Sequence, residues 1–295
     1  MTLPVQDNTQ DVQSDKLQPG LYIVATPIGN LSDLSLRAAD ILKRADLIAV
    51  EDSRVTAKLL QHIGIKRPMI AYHDHNADYL RPQLLPRLNH EAIALVSDAG
   101  TPLISDPGFK LVRDARKAGA YVTTIPGPCA AIAALTLSGL PSDRFLFIGF
   151  LPPKENARKK ALEEVAGIAA TLIFYETSPR LISVLTSLHQ ILGDREAAVT
   201  REITKKFEEC QTAPLSELIT HYQEKPPKGE LVILVSPANK KTEIGEDEVK
   251  ALLEAALKDH SVGKSAALVA KQTGLSRQAL YDLAMQLRQQ SSSDV

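Results

Sequence analysis

Short apolar runs alternate with helical patterns five times between residues 21 and 140. Each run ends at turn residues, and the segment after it places apolar side chains every three or four positions. Strands separated by helices pair in parallel, and the helices cover the faces of the sheet. The pattern therefore predicts an α/β domain. Its predicted strands are residues 21–25, 47–50, 69–72, 93–97 and 122–125.

A second α/β unit begins after a Pro-Ser-Asp boundary at residues 141–143. Neighbouring strands without long crossovers indicate a mixed sheet in this unit. Its predicted strands are residues 145–150, 172–175, 197–200, 207–212 and 231–235, and its predicted helices are residues 158–167, 179–192 and 214–224. The chain then divides into a disordered leader (1–18), an N-terminal domain (19–141), a C-terminal domain (142–238), and a charged linker with a helical tail (239–295).

The composition is that of a globular protein, with 44% hydrophobic and 23% charged residues. No apolar run approaches the roughly 18 residues of a membrane span, so we expect no membrane association. The chain has two cysteines, Cys129 and Cys210, which suit a reducing cytoplasm and argue against a disulfide framework. With a net charge of −1, the chain has no overall positive charge that would attract nucleic acid. Any contact with nucleic acid must therefore come from local basic segments.

The loop after the fourth predicted strand is long and stiff. Residues 97–108 contain two glycines, two prolines and two aspartates, whereas ordinary βα connections have about two to six residues. Open α/β sheets bind ligands at the carboxyl ends of their strands. We therefore expect this loop to hold a polar small molecule through exposed main-chain groups.

Two further loops are expected at the same edge of the sheet. Residues 26–31 follow the first strand but carry one glycine and no Gly-Lys-Ser/Thr, which disfavours a nicotinamide fingerprint or a P-loop. Residues 126–131 follow the fifth strand. They fit either a helix N-terminus that approaches a ligand or a proline-started helix packed on the sheet. The three loops together indicate a ligand site more strongly than any one of them.

Several motifs in and around these loops carry a family resemblance. They are residues 24–30, 36–38, 51–54, 73–76, 97–102, 125–130, 174–176, 201–202 and 228–230. The loops resemble those of the tetrapyrrole-methylase fold, a two-domain class of S-adenosylmethionine-dependent methyltransferases. Within that fold, residues 20–236 and the tail are similar to the bacterial 16S rRNA ribose 2′-O-methyltransferases, which modify a cytidine of the decoding centre.

The resemblance implies S-adenosylmethionine in the cleft between the domains, a homodimer, and 16S rRNA of the small ribosomal subunit as substrate. By position, the family's cofactor contacts fall on Pro27, Ala99, Gly100, Thr101, Ile104, Cys129, Ala130, Glu176 and Ile203. Tetrapyrrole members carry a basic Gly-Lys-Arg-like stretch where this chain has His-Asp-His-Asn at residues 73–76. They also tend to have Gly-Gly-Asp-Pro at the position of residues 99–102. Both departures weigh against a tetrapyrrole substrate.

A metal site is not expected from this sequence. His73 and His75 lie on the same side of an extended segment, but no third ligand follows at metal-site spacing. A substrate contact or a hydrogen-bonding role suits them better. Asp52 or Ser53 could cap a helix, and Arg54 could bind a phosphate or carboxylate as a planar fork.

Methyl transfer to a ribose hydroxyl requires alignment and the removal of a proton. The hydroxyl is a weak acid, so a base or a nearby cation that stabilises the oxyanion is needed. The sequence offers five candidates and does not rank them. They are Asp98, Asp52, His73, Glu202 and Lys228.

Local basic segments are the candidate RNA contacts, although each could also be a solvated face. They comprise Arg54, Arg158, Lys159, Lys160, Arg201 and Lys205. The tail predicts a helix-turn-helix that turns at Gly274, with Ser276 capping the second helix. Such a module could contact nucleic acid or serve as a small packing or dimerisation unit.

Two alternatives to an rRNA methyltransferase stay open at this point. One is a tetrapyrrole C-methyltransferase of the uroporphyrinogen or precorrin type, against which residues 73–76 and the tail argue. The other is a non-enzymatic nucleic-acid-binding regulator built around the helix-turn-helix. The three cleft loops argue against that role, since a pure binder has no need of them.

Overall fold

A computed structural model describes residues 16–238, 246–273 and 275–293. The chain divides into two compact units, Met1–Ala238 and Asn239–Val295. The first unit contains both α/β domains, and the second contains the helices of the tail. The predicted linker at residues 239–245 and the turn residue Gly274 lie outside the described residues.

In the described chain, the first domain is built on a five-stranded parallel sheet of order β3-β2-β4-β1-β5. The predicted parallel sheet is confirmed, and each strand end falls within one residue of its prediction. The strands are β1 (Gly20–Val24), β2 (Leu47–Val50), β3 (Met69–Ala71), β4 (Ala92–Val96) and β5 (Val122–Ile125). The helices are α1 (Leu36–Arg44), α2 (Ser53–His62), α3 (Ala77–Arg87), α4 (Phe109–Lys117) and α5 (Ala130–Ser138).

The two faces of this sheet pack against different helices. Along β1, Leu21 packs on the side of α3 and α4, whereas Tyr22 and Val24 pack on the side of α1 and α2. β1 and β4 are neighbours, but the helices that follow them, α1 and α4, cover opposite faces. Their connections therefore separate at the carboxyl edge and leave a crevice, which is where such sheets bind ligands.

The second domain is built on a mixed sheet, as predicted, of order β6-β7-β10-β8-β9. β6 and β7 are parallel, and the remaining pairs are antiparallel. One face packs against α6, α7 and α8, while α5 of the first domain covers the other. The strands are β6 (Phe145–Phe150), β7 (Thr171–Thr177), β8 (Glu196–Arg201), β9 (Glu209–Pro214) and β10 (Glu230–Val235). The helices are α6 (Glu155–Val165), α7 (Leu181–Leu192) and α8 (Leu215–Glu224).

The tail is a separate helical unit with its own core. It contains α9 (Glu246–Asp259), α10 (Val262–Thr273) and α11 (Arg277–Ser293). Leu253, Val269 and Leu280 meet in its core, each at most 2% exposed. The hydroxyl of Ser276 accepts a hydrogen bond from the Ala279 amide at 3.5 Å, so Ser276 caps α11 as predicted. Among the described residues, no helix is long and apolar enough to cross a membrane.

The predicted disordered leader is wrong for its last residues. Leu17 packs against the apolar cluster on the α1–α2 face. The carbonyl of Gln18 accepts a hydrogen bond from the Tyr22 hydroxyl at 2.8 Å. An apolar side chain at residue 17 thus extends the first domain ahead of β1. The earlier part of the predicted leader, residues 1–15, lies outside the described residues.

Candidate active site

The three predicted ligand loops meet at the carboxyl edge of the first sheet. Thr26 and Gly100 exchange backbone hydrogen bonds, with N–O distances of 2.9 and 3.1 Å. The hydroxyl of Thr101 donates to the carbonyl of Pro128 at 2.9 Å. These bonds tie the loop after β4 to the loops after β1 and β5. The convergence that the sequence suggested is therefore present in the fold.

A cavity of about 350 Å³ opens beside these loops, within the size range of small-molecule sites. Its walls come from both α/β domains, so it is a cleft between them. The first domain contributes Ile28, Glu51, residues 98–101, residues 104–106, Cys129 and Ala130. The second contributes Phe150, residues 175–177, Thr200, Glu202, Ile203, Lys205 and residues 230–232.

The loop after β4 has a backbone that few sequences can adopt. Gly100 has φ +83°, and a Cβ built there lies 3.1 Å from Ile28 Cγ2. Leu103 and Ser105 also have left-handed conformations, with φ 75° and 66°. A non-glycine residue in that region carries strain, and such strain clusters at ligand sites. The loop is thus held in a shape that exposes its main chain to the cleft.

Three carboxyl groups give the cleft a negative wall. Burial, as the largest cause, raises the pKa values of Glu51 and Asp98 above their usual range. Burial also raises the pKa of Asp106 to about 6, and the charges of Glu51, Asp98 and Asp74 add to the rise. Carboxylates that are partly desolvated and close together favour a cationic ligand, because it offsets their mutual repulsion.

Comparison with known proteins shows which family the chain belongs to. Residues 20–219 match the Tetrapyrrole (Corrin/Porphyrin) Methylases, and residues 243–288 match the RsmI C-terminal HTH domain. The ribosomal RNA small subunit methyltransferase I of Erythrobacter litoralis is 51% identical over 94% of this chain and 99% of its own length. The chain belongs to the ribosomal RNA small subunit methyltransferase I family. The Xylella fastidiosa enzyme of the same name is 52% identical over 89% of this chain and 98% of its own length.

A solved structure agrees on the fold. The uroporphyrin-III C-methyltransferase of Thermus thermophilus, crystallised with S-adenosylhomocysteine, superposes with a TM-score of 0.52. It is 22% identical and covers 73% of this chain and 96% of its own. As a member of its family, the chain is an S-adenosylmethionine-dependent methyltransferase of the tetrapyrrole-methylase fold. The negative cleft suits this cofactor, which carries a sulfonium cation.

The predicted cofactor residues come together in the cleft. All of them except Pro27 line the cavity, and Pro27 immediately precedes the lining residue Ile28. Cys129 is a half-buried free thiol in the cavity wall. Glu176 is 2% exposed, and its carboxylate pairs with Arg180 at 3.1 Å. Their roles in binding the cofactor stay predictions.

The candidate catalytic residues divide into two groups. Asp98 and Glu202 line the cavity, whereas Asp52, His73 and Lys228 do not. Asp52 caps α2 by accepting a hydrogen bond from the Arg54 amide at 2.8 Å. His73 lies in the connection between β3 and α3, and its amide donates to the Asn76 side chain at 2.9 Å. Among the described residues, no group of three or more His, Cys, Asp or Glu side chains could hold a metal ion.

The assignment of Arg158 to a basic rim is wrong. Its side chain is 5% exposed, in the buried face of α6. The guanidinium donates to the Ser187 hydroxyl at 3.0 Å and to the Pro153 carbonyl at 3.1 Å. Arg158 therefore fastens α6 to α7, and its charge does not reach solvent. The sequence did not reveal this, because its partner Ser187 lies 29 positions away.

The remaining basic candidates occupy different surroundings. Lys160 is exposed, and Lys159 pairs with Glu155 at 2.7 Å one turn earlier in α6. The following exposed or partly exposed cations also have carboxylate partners: Arg54 with Asp52, Arg201 with Glu209, and Lys205 with Glu202. Exposed pairs of this kind contribute little energy, so these cations can exchange partners with a phosphate. Lys205 lines the cavity.

Sequence reasoning missed several residues of the cleft. Glu51 and Asp106 lie in motifs that it singled out, but neither was chosen as a site residue. An Asp-Pro-Gly turn that closes a ligand loop was the available signal for Asp106. Phe150 and Tyr175 also line the cavity, with ring centroids 5.7 Å apart. Tyr175 lies in the motif at residues 174–176, which was the available signal for it, whereas nothing local marks Phe150. The exposure of both rings to the cleft depends on how the two domains pack.

Proposed function

We propose that this methyltransferase acts on 16S rRNA of the small ribosomal subunit, in the cytoplasm, and methylates the ribose 2′-hydroxyl of a decoding-centre cytidine. Its relatives act on small-subunit ribosomal RNA by name. The single observation that carries the proposal is the cleft between two α/β domains, in which one wall is a strained backbone loop and the other comes from the second sheet. Such a cleft holds a cofactor on one side and admits a nucleotide on the other.

The first domain is suited to hold the cofactor. The backbone around Gly100, together with the small residues Ala99, Cys129 and Ala130, leaves room for a ligand close to the main chain. When bound, S-adenosylmethionine supplies a methyl group that is already activated by the sulfonium. The protein then needs to align the nucleophile, to exclude water and to take one proton.

Most of the carboxylates near the cleft are poorly placed to take that proton. Asp52 does not line the cavity, and hydrogen bonds from Arg54 lower its pKa to about 2. Glu202 is paired with Lys205 at 3.0 Å. Asp98 uses Oδ1 to accept the Asp52 amide at 3.0 Å. Asp52 and Glu202 are thus each held by a cation, and one oxygen of Asp98 is occupied by a backbone amide.

Asp106 is the group we propose as the general base. It lines the cavity, and no salt bridge holds it among the described residues. Burial raises its pKa to about 6, although a hydrogen bond with Ser97 opposes the rise. A base acts best when its pKa lies near the operating pH, because it is then ionised and still accepts a proton readily. Asp106 would take the proton of the 2′-hydroxyl and release it to water.

The proposal is tested by mass mapping of 16S rRNA from a strain that lacks the gene. We expect one decoding-centre cytidine to lose one methyl group. The purified protein with S-adenosylmethionine should restore it on isolated small subunits or on rRNA, and fragmentation should place the methyl on the ribose. An unchanged map in the deletion strain, or a methyl group on the base, would contradict the proposal.

A further inference from the structure

Phe150 is a large apolar side chain that the fold leaves exposed in the cleft. It is the last residue of β6, it lines the cavity, and it is 55% exposed. Large apolar groups that stay exposed in a concave site mark the place where a ligand binds. The exposed surface of Phe150 therefore indicates contact with one of the molecules that enter the cleft.

A β-bulge turns Phe150 toward the cleft. Within β6, Ile148 packs on the side of α6, α7 and α8, whereas Phe147 packs on the side of α5. Strict alternation would place Phe150 on the same side as Ile148. The register with β7 instead shifts between Phe147 and Gly149, so that Phe150 pairs with Tyr175, which packs on the α5 side. Bulges next to active sites redirect a side chain in this way.

The same bulge brings β6 against the ligand loop of the first domain. Gly149 has a left-handed backbone with φ +75°, and a Cβ built there lies 3.1 Å from Ser105 Oγ. Phe150 and Asp106 directly follow these two residues, and both line the cavity. Phe150 is therefore near Asp106 in the cavity wall, although the two residues belong to different domains.

Tyr175 supports the Phe150 ring from the second domain. The two ring centroids are 5.7 Å apart, and the rings meet edge to face with an interplanar angle of 67°. Tyr175 is itself fixed, because its hydroxyl accepts a hydrogen bond from the Ala131 amide at 3.1 Å and its ring packs on Phe147 at 4.9 Å. An edge-to-face contact uses at most one face of the Phe150 ring. A planar group can stack on the other face.

We propose that Phe150 stacks on the base of the nucleotide that the enzyme methylates. Proteins hold unpaired bases by stacking them on aromatic side chains, and every base has a π-face for this contact. The ring lies near Asp106, the proposed proton acceptor, which the substrate needs and the cofactor does not. Stacking engages the uncharged base, so the carboxylates of the cleft do not oppose it. This inference rests on the proposed function, and it adds the residue that holds the target base.

The first test compares methyl-transfer kinetics of full-length variants. The methyl acceptor is 16S rRNA or the small subunit from the deletion strain, whichever the wild type methylates. Phe150→Ala should raise KM for this acceptor about 5- to 150-fold. Its kcat should change little, because stacking holds the base equally in the ground state and the transition state. Affinity for S-adenosylmethionine, measured by calorimetry, should stay at the wild-type value.

Three further variants show whether the effect belongs to a ring at this position. Phe150→Tyr keeps the ring and should restore the KM of the wild type. Phe150→Leu keeps apolar volume beside Tyr175 but has no π-face, so it should raise KM as Phe150→Ala does. Phe145→Ala is the matched control, since Phe145 begins the same strand, is 45% exposed and does not line the cavity. An equal rise of KM in Phe145→Ala would overturn the inference.

The second test identifies which molecule occupies the ring. The chain contains no tryptophan, so Phe150→Trp introduces a single indole, whose fluorescence is quenched when a base stacks on it. The acceptor should quench this fluorescence in protein saturated with S-adenosylhomocysteine, after subtraction of the acceptor's own signal. S-adenosylhomocysteine alone should not quench it. Phe145→Trp is the control and should respond to neither addition.

The outcomes separate this inference from the proposed function. If the wild type methylates the acceptor and Phe150→Ala keeps the wild-type KM, the stacking role is overturned and the proposed function stands. If S-adenosylhomocysteine alone quenches Phe150→Trp, the ring holds the adenine of the cofactor, and the stacking role is again overturned. If the wild type methylates no decoding-centre cytidine, the proposed function itself fails.

Discussion

At the scale of single residues, the cleft depends on a left-handed backbone conformation in one loop and on a carboxyl group with a raised pKa. Gly100 has a left-handed backbone and forms the bridge to Thr26. Asp106 has a carboxyl group whose pKa is raised to about 6 by burial. Both lie in one loop, in which the non-glycine residues Leu103 and Ser105 also have left-handed backbones. Departures of this kind from the usual backbone conformation and pKa persist when the site requires them.

The first residue-scale prediction concerns Gly100→Leu. The new side chain would start 3.1 Å from Ile28 Cγ2 and occupy space beside the cofactor loop, so cofactor binding should be lost. Left-handed backbone costs a non-glycine residue about 1–2 kcal/mol, which a folded domain tolerates. Calorimetry with S-adenosylmethionine measures the loss, and circular dichroism checks the fold.

Gly64→Leu is the matched control for this variant. Gly64 has φ +69°, and nothing lies within 4 Å of its ideal Cβ. The substitution carries the same backbone cost without reaching the cleft. It should lower stability by a similar amount and leave cofactor affinity unchanged. Wild-type affinity in a folded Gly100→Leu variant would refute the assignment of this loop to the cofactor.

The second residue-scale prediction concerns Asp106→Asn. Removing a general base should lower kcat by about 10²- to 10⁴-fold. In the wild type, activity should rise with pH through a midpoint of about 6, where Asp106 becomes ionised, and this step should be absent in the variant. Glu51→Gln is the control, since Glu51 also lines the cleft with a raised pKa. If the rise in activity near pH 6 persists in Asp106→Asn and disappears in Glu51→Gln, the general base is Glu51 and not Asp106.

Asp106 should also affect stability, in the opposite direction. Its folded pKa of about 6 lies above the ordinary 3.8, so between these values the folded state binds more protons than the unfolded state. The free energy of unfolding therefore falls as pH rises through this window. Asp106→Asn removes the penalty and should have a higher Tm than the wild type at neutral pH. A lower Tm there would show that the ionised carboxylate is stabilising.

At the scale of secondary-structure elements, helix α6 has basic side chains on both its buried face and its exposed face. Arg158 and Leu162, one turn apart, lie in its buried face, while Lys159 and Lys160 point away from it. The helical period predicts which residues share a face. It does not predict that an arginine is on the buried side, because that depends on the Ser187 hydroxyl and the Pro153 carbonyl.

The element-scale prediction is that Lys159→Glu with Lys160→Glu weakens RNA binding and leaves cofactor affinity unchanged. Each lost phosphate contact should reduce the slope of log affinity against log salt by roughly 0.7 to 0.9. The control reverses Lys43 and Lys117, which lie in the last turns of α1 and α4, at the opposite edge of the sheet. It changes net charge equally. Equal effects of the two double variants would mean that α6 makes no local contact with RNA.

At the scale of the whole molecule, the tail and the α/β domains have separate cores. Removing residues 239–295 should therefore leave a folded protein that binds S-adenosylmethionine. We expect it to methylate the ribosomal substrate poorly, because the tail matches a helix-turn-helix domain. Turnover on small subunits is the measurement, and an unchanged Tm of the α/β domains is the control. Full turnover would show that the tail has no part in recognition.

A second whole-molecule prediction is that the protein is a homodimer, as the family resemblance implies. Light scattering at micromolar concentration should give twice the mass of 32.1 kDa that the sequence predicts for one chain. A mass of one chain over this range would contradict the prediction.

The sequence by itself determined the local structure and the class of chemistry. Strand and helix periods depend on neighbouring residues, so β2, β5 and β6 were predicted to the residue. The composition of the loop at residues 97–108 indicated a ligand site for the same reason, since glycine and proline act on their own backbone. The motifs in and around the loops were sufficient to indicate the family.

Only the tertiary structure decided which groups share the cleft and which do not. Asp106, Phe150 and Tyr175 lie far apart in sequence and meet because α5 packs against the second sheet. Lys228 lies outside the cavity wall, and the contact of α6 with α7 buries Arg158. Burial and pKa depend on every neighbour in space. A sequence records those neighbours only through the fold, which is why its motifs located the site but did not rank its residues.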